Sequence, residues 1–268
     1  MLYVDTHTHI YDEAYVDDAG RDAAVQRAID AGVGMMIVPD TCERDRKGVF
    51  EIYRRWPHNT RPCVGLHPEE VGKDWKRELD LSLEAIREQS GAIAAIGEVG
   101  LDLHWSRDFE KEQEEVFRSQ LDASLEHGLP VIVHTRDALE QTFRILDDYR
   151  GKGLKGVFHA FSGSLETFRR LERYGDWRVG LGGVLTFKKA SIATVAKDIP
   201  LERILLETDS PYLTPTPHRG ERNESAYIPL IAGFLAQIKE VPTETIASVT
   251  TENAISLFGN GLPNTDVI

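Results

Sequence analysis

The amino-acid sequence predicts a single α/β domain folded as a closed (β/α)8 TIM barrel, and three observations predict it. Eight short apolar runs, rich in β-branched residues, recur along the 268 residues. Segments with helical periodicity and charge separate them, and no long linker, repeat or low-complexity stretch breaks the alternation. The length also fits, because one such barrel takes ~250 residues.

In order, the apolar runs are 2–8, 33–39, 61–66, 92–98, 130–134, 155–161, 178–184 and 203–209. After the first, helical periodicity covers 23–31 and Gly32 stops it. A helix over 78–89, ended by Gly91, separates the third run from the fourth. The fourth leads into a long helix over 109–126, ended by Gly128. The fifth is followed by periodicity over 138–149, and the sixth by 165–174 with Gly175 behind it. Beyond the eighth run lies a helix over 228–238, and 243–258 reads as an added C-terminal helix. The barrel is therefore expected over 1–258, with 259–268 a short tail.

Hydrophobic residues make up 41% and charged residues 28%, which supplies a packed core under a solvated surface. The formal net charge of −13 argues against broad wrapping of a polyanion, which needs many Lys and Arg contacts. A metal cluster with a local basic rim can still hold a phosphate against that charge. Cys42 and Cys63, the only cysteines, argue against a disulfide framework and a Cys-based zinc site, and read as small buried apolar residues. The start lacks a positively charged region and runs straight into Asp5-Thr-His7, so no signal peptide is expected. The longest apolar stretch, 33–39, falls far short of the ~20 residues of a membrane span. A cytoplasmic protein without membrane association or an obligate protein partner is expected.

Five of the runs close on side chains that bind metals: Asp5-Thr-His7-Thr-His9, Gly97-Glu98, Val133-His134, Phe158-His159 and Thr208-Asp209. Singly, each has a plainer reading. His7-x-His9 can be ordinary strand-end polar residues, Glu98 half of a salt bridge inside the barrel, His134 and His159 hydrogen-bonded core histidines, and Asp209 a cap for the Ser210-Pro211 turn. Together they fall at the C-terminal ends of strands, where this fold builds its active sites. Four imidazoles and two carboxylates gathered there point to a catalytic metal centre. Glu98 has two oxygens with which to bridge two ions, and Asp209 can both ligate and take a proton from metal-bound water.

Other residues read as substrate contacts. His67, just past the third run, either touches a phosphate or supports a ligand. Arg136, two residues beyond His134, either clamps a phosphate oxygen or pairs with Asp137. Phe161-Ser162-Gly163-Ser164 leads into a helix whose free N–H groups suit an anion, although Ser164 equally reads as an N-cap. Lys188, Lys189, His218, Arg219 and Arg222 fall in the loops after the last two runs and form a candidate basic rim.

These motifs carry a family likeness. Asp5-Thr-His-Thr-His9, Val64-Gly-Leu-His-Pro-Glu69, Ile96-Gly-Glu-Val-Gly-Leu-Asp102, Leu129-Pro-Val-Ile-Val-His-Thr-Arg-Asp137, Val157-Phe-His-Ala-Phe-Ser-Gly-Ser164, Glu207-Thr-Asp-Ser-Pro-Tyr212 and Thr216-Pro-His-Arg-Gly-Glu-Arg-Asn-Glu224 follow one another in family order. From residue 4 to about residue 258 the chain resembles the TatD-related metal-dependent DNases, a branch of the amidohydrolase-type barrels. The resemblance implies His7, His9, Glu98, His134, His159 and Asp209 as ligands of two divalent ions (Mg, Mn or Zn). It also implies a 3′-to-5′ exonuclease that cuts phosphodiester bonds in DNA, or another phosphate-bearing substrate, through a metal-activated water. Such a centre serves equally for a carbonyl substrate, so an aminoacyl-tRNA deacylase or amidohydrolase is the rival reading. A barrel that binds metal without catalysis is disfavoured by the presence of Glu98 and Asp209. Ala160 stands where many relatives have Cys or Ser, and Gly182-Gly183 replaces a more usual Ser-Gly, which bears on the shape of the substrate groove.

Overall fold

A computed structural model describes residues 2–259. The strands β1 (Tyr3–Asp5), β2 (Val33–Pro39), β3 (Thr60–Val64), β4 (Ala95–Asp102), β5 (Val131–Arg136), β6 (Lys155–Phe158), β7 (Asp176–Leu181) and β8 (Ile204–Leu206) lie in chain order in one parallel sheet. Parallel neighbours require crossovers, which the helices supply. These are α1 (Asp18–Asp30), α2 (Glu43–Arg55), α3 (Trp75–Gln89), α4 (Glu110–His127), α5 (Leu139–Asp147), α6 (Leu165–Leu171), α7 (Ile192–Asp198) and α8 (Ile228–Lys239), with α9 (Thr243–Phe258) at the end. Hydrogen bonds from Thr6 N–H to the Leu206 carbonyl (3.0 Å) and from Asp209 N–H to the His7 carbonyl (2.9 Å) join the last strand to the first. The sheet thereby rolls into the predicted barrel.

Strand alternation sorts the core into two parts. On β2, Met35 and Ile37 point into the barrel with Val4, Cys63, Ala95, Ile132, Val157 and Leu205, whereas Met36 and Val38 face the helices. Ala254, Leu257 and Phe258 of α9 belong to the interior cluster. Thr251 Oγ1 bonds to the Leu2 carbonyl (3.0 Å), and Asn253 Nδ2 to those of Leu201 (2.9 Å) and Ile204 (2.8 Å). These anchors lie at the N-terminal ends of β1 and β8, so α9 covers the end of the barrel opposite the candidate centre.

Several boundaries differ from the sequence reading. β1 and β8 are three residues each, shorter than the runs 2–8 and 203–209, because the residues beyond them turn inward at the mouth. Asp209 does so at φ 54°, a left-handed conformation in which Asp is among the better tolerated side chains. β4 is longer than expected: it stays paired with β5 as far as Asp102 opposite Arg136, so Glu98 lies within a strand and not at its end. Gly100 permits this at φ 142°, where a Cβ would overlap the His134 carbonyl. α2 and α7 are absent from the helices read from periodicity. Ser164 is an N-cap, its Oγ accepting from Thr167 N–H at 3.1 Å. Of the expected tail, residues 260–268 lie outside the described residues. Among the described residues no helix is long and apolar enough to cross a membrane.

Candidate metal centre

The six candidate ligands come from five strands or the residues just after them, His7 and His9 both following β1, and the barrel brings all six together. His7 and His9 follow β1 on alternate positions and turn their Nε2 atoms to within 3.1 Å of each other. Glu98 of β4 lies beside them, its Oε2 at 3.2 Å from His7 Nε2 and 3.7 Å from His9 Nε2. Asp209 Oδ1 completes that side at 3.7 Å from His7 and 3.4 Å from His9. The other oxygen of Glu98 faces a second group: Oε1 lies 2.6 Å from His159 Nε2, 3.0 Å from His134 Nδ1 and 3.4 Å from His67 Nε2. One carboxylate, 2% exposed, thus has an imidazole cluster at each oxygen.

The donor set fits divalent cations. Two imidazole Nε2 atoms converging on one carboxylate oxygen form a good ligand arrangement, and three sets of atoms, His7/His9/Glu98, His7/His159/Asp209 and His67/Glu98/His134, lie close enough to share an ion. Without a cation, charge must be balanced by protons. Burial pushes the Glu98 carboxyl up, but His159, His67 and His7 together with the His134 hydrogen bond outweigh it and hold the group well below the usual carboxylate range. His159 is correspondingly raised, burial being overcome by Glu98, Glu207 and Asp209, while burial and the neighbouring His159 lower His7. A cation would replace those shared protons, leaving both imidazoles neutral.

Three carboxylates hold the candidate ligands, and none of them was assigned this role from the sequence. Asp5 accepts from His7 N–H (3.2 Å), Thr208 N–H (3.0 Å) and Thr208 Oγ1 (2.6 Å), tying the His7-x-His9 segment to the strand end that carries Asp209. Asp102 Oδ2 lies 2.8 Å from His134 Nε2. Glu207, 1% exposed, reaches from β8 across β7 to accept from Ala160 N–H, next to His159. Gly180 of β7 makes the crossing possible, since a Cβ there would overlap the Glu207 carboxylate. The available signal was spacing: Asp5 and Glu207 each stand two residues before a candidate ligand.

The residues expected to touch substrate separate. His67 lies inside the cluster, its Nδ1 accepting from Glu69 N–H at 3.1 Å. Arg136 is exposed at the mouth and does not pair with Asp137, which bonds to His104 Nδ1 at 2.6 Å; the Arg136 guanidinium sits 5.3 Å over the Trp105 ring. Ser162 is exposed on the wall of a cavity beside the cluster. Arg219 lies farther out, 3.6 Å over Phe187, and lines neither of the two cavities at the centre. His218 pairs with Glu221 (3.0 Å) and Arg222 with Glu224 (2.7 Å), so each of these rim charges is already paired.

A family profile described as TatD related DNase matches residues 4–259. The chain is 36% identical over 259 residues to YabD of Bacillus subtilis, described as an uncharacterized metal-dependent hydrolase, covering 96% of this chain and 99% of that one. It is 37% identical over 195 residues to YcfH of Escherichia coli K12, described in the same words, covering 72% of each. The crystal structure of YjjV, a TatD homologue from Escherichia coli K12, superposes with a TM-score of 0.87 at 28% identity, over 96% of this chain and 98% of that one.

Proposed function

We propose a DNA phosphodiesterase activity for this chain, which belongs to the TatD related DNase family and is a metal-dependent hydrolase of it. The observation that carries the proposal is the division of Glu98: Oε2 faces His7, His9 and, beyond them, Asp209, and Oε1 faces His134, His159 and His67. One carboxylate between two clusters suits a pair of divalent cations, with His7, His9, Glu98 and Asp209 holding one and Glu98, His134 and His159 the other. The chemistry such cations would supply when bound is a more acidic water and an offset for the charge that develops on a phosphoryl group. Asp209 Oδ1 faces His7 and His9, and the Asp209 carboxylate would take a proton from the attacking water. Arg136 at the mouth holds a phosphate oxygen, a role suited to a guanidinium exposed on one side. Cleavage from the 3′ end is the polarity the family likeness implies.

One observation favours the rival reading. Asp12, Glu13 and Glu69 line the polar cavity at the mouth and would repel a polyanion, while an ammonium group would be welcome there. An aminoacyl-tRNA ester presents such a group. The deciding experiment is the purified chain with Mg²⁺, Mn²⁺ or Zn²⁺, assayed side by side on single-stranded DNA and on charged tRNA. Release of nucleotides supports the phosphodiesterase; deacylation of tRNA without any cutting of DNA overturns it.

A further inference from the structure

Two cavities meet at the candidate centre, and they differ in chemistry. The larger, about 740 Å³, is polar and includes Asp12, Glu13, Arg44 and Glu69 on its wall. The smaller, about 430 Å³, opens among the ends of β5 to β8 and is walled by Phe161, Leu181, Val184, Leu185, Ile192 and Leu213. His134, His159, Asp209 and Arg136 line both. A bond broken at the centre therefore lies on the seam between a polar and an apolar chamber.

We infer that the apolar chamber receives the nucleobase of the nucleotide whose phosphate is cut; this rests on the phosphodiesterase reading above. The chamber shares His134, His159 and Arg136 with the centre, so a group in it adjoins a phosphate held against those residues. Its volume lies in the ~300–1,000 Å³ range of small-molecule sites, and apolar walls suit the faces of a heteroaromatic ring. Away from the centre the other chamber carries five carboxylates, Asp12, Glu13, Asp45, Glu69 and Glu70, against Glu207 alone here. Gly182 lets β7 and β8 approach closely beside this wall: a Cβ there would lie 3.3 Å from the Glu207 carbonyl, tighter than an ordinary contact. Ala160, the other small departure from the family pattern, lines the same chamber. Beyond the residues shared with the centre, the polar groups on its walls are Thr135, Ser162, Glu207 and Thr208, and Glu207 is already engaged with Ala160 N–H. The chamber thus reads the presence of a ring more than the identity of the base.

The test compares ligands that differ only in the ring. With Mg²⁺ present, the wild-type chain is expected to bind dAMP about tenfold tighter than 2-deoxyribose 5-phosphate, the order of one base stacking. It should also release a terminal deoxynucleotide from single-stranded DNA faster than a terminal abasic tetrahydrofuran residue. Val184→Trp, which fills the chamber, should bring both ratios to within about twofold, while Val184→Ala keeps them. Circular dichroism reports folding, and Ser162→Trp, at an exposed position on the same wall, narrows the chamber by another route if Val184→Trp does not fold. Equal binding of the two ligands by wild type, or a preference that survives in folded Val184→Trp, overturns the inference. DNA cut equally well with and without the terminal base would leave the phosphodiesterase standing and remove the chamber. A preference for dAMP without cleavage of DNA would do the reverse. Faster deacylation of tyrosyl- than alanyl-tRNA, lost in Val184→Trp, would give the chamber to an acyl side chain and overturn the nucleobase assignment.

Discussion

Asp102 and His134 face each other across neighbouring strands, Oδ2 to Nε2 at 2.8 Å, and His134 turns its other nitrogen to Glu98 at 3.0 Å. The aspartate decides which way the imidazole looks. Asp102→Asn is expected to lower metal affinity or turnover about 10- to 100-fold, as loss of a group that orients a ligand does. Metal content after dialysis, measured beside kcat, checks this; unchanged values for both would remove Asp102 from the site.

Chelation should abolish turnover while leaving the barrel folded, because the interior and outer clusters are packed apolar side chains independent of the centre. Restoring a divalent ion at about 100 times its dissociation constant should stabilise the chain by about 2.7 kcal/mol. Thermal melts with and without metal measure that gain, and elemental analysis at saturation should find two ions per chain. A single ion per chain would contradict the bridging role given to Glu98.

Asp209→Asn keeps shape and loses the proton acceptor. Turnover should fall about 10²- to 10⁴-fold with metal partly retained. Single-turnover kinetics on the metal-loaded variant make the measurement, and near-normal rates would move the base elsewhere.

Arg136 stands at the mouth without an ion-pair partner among the described residues, held only over Trp105. Arg136→Ala should cost about 10- to 100-fold in kcat/KM on DNA, the worth of a charged hydrogen bond, and leave hydrolysis of 4-nitrophenyl acetate nearly unchanged. Emptying of the metal site in this variant would make Arg136 a structural support.

Asp40 lies just past the C-terminal end of β2, fully buried, accepting from Arg46 Nε at 2.8 Å and Gly65 N–H at 2.7 Å. Burial pushes its carboxyl up to about 7, against the pull of Arg46. A folded value above the unfolded one means that the native state binds the extra proton. The contribution of Asp40 to stability is therefore present below pH ~4 and declines as pH rises to about 7. Asn cannot titrate, so the stability of wild type relative to Asp40→Asn should be greater at pH 5 than at pH 8. Urea unfolding of both proteins at the two pH values gives the comparison, and subtraction cancels the other ionisable groups.

The fold was legible because its signals are local. β2 begins and ends where its apolar run does, at Val33 and Pro39. The six candidate ligands were legible too, each being an ionisable residue closing an apolar stretch. The same signal misplaces the end of β4: its apolar run closes on Glu98, although pairing with β5 carries the ladder on to Asp102. α2 escapes the periodicity because residues 43–48 carry no apolar side chain, so its stripe of Val49, Phe50, Ile52 and Tyr53 is only about one turn long. Partnerships such as Asp102 with His134 and Glu207 with Ala160 join residues 32 and 47 positions apart, and no local pattern reports them.

The lower end of the barrel is a stopper. Ala254, Leu257 and Phe258 of α9 complete the interior cluster, and Thr251 and Asn253 fasten the helix to the chain beside β1 and β8. The interior is solid apolar packing from that helix up to the imidazoles, so a strand of nucleic acid cannot thread through the molecule. Substrate, water and ions must arrive, and the freed product must depart, by the same doorway. Each round of release then competes with the entry of the next substrate, and product added from outside should slow the enzyme by occupying that doorway.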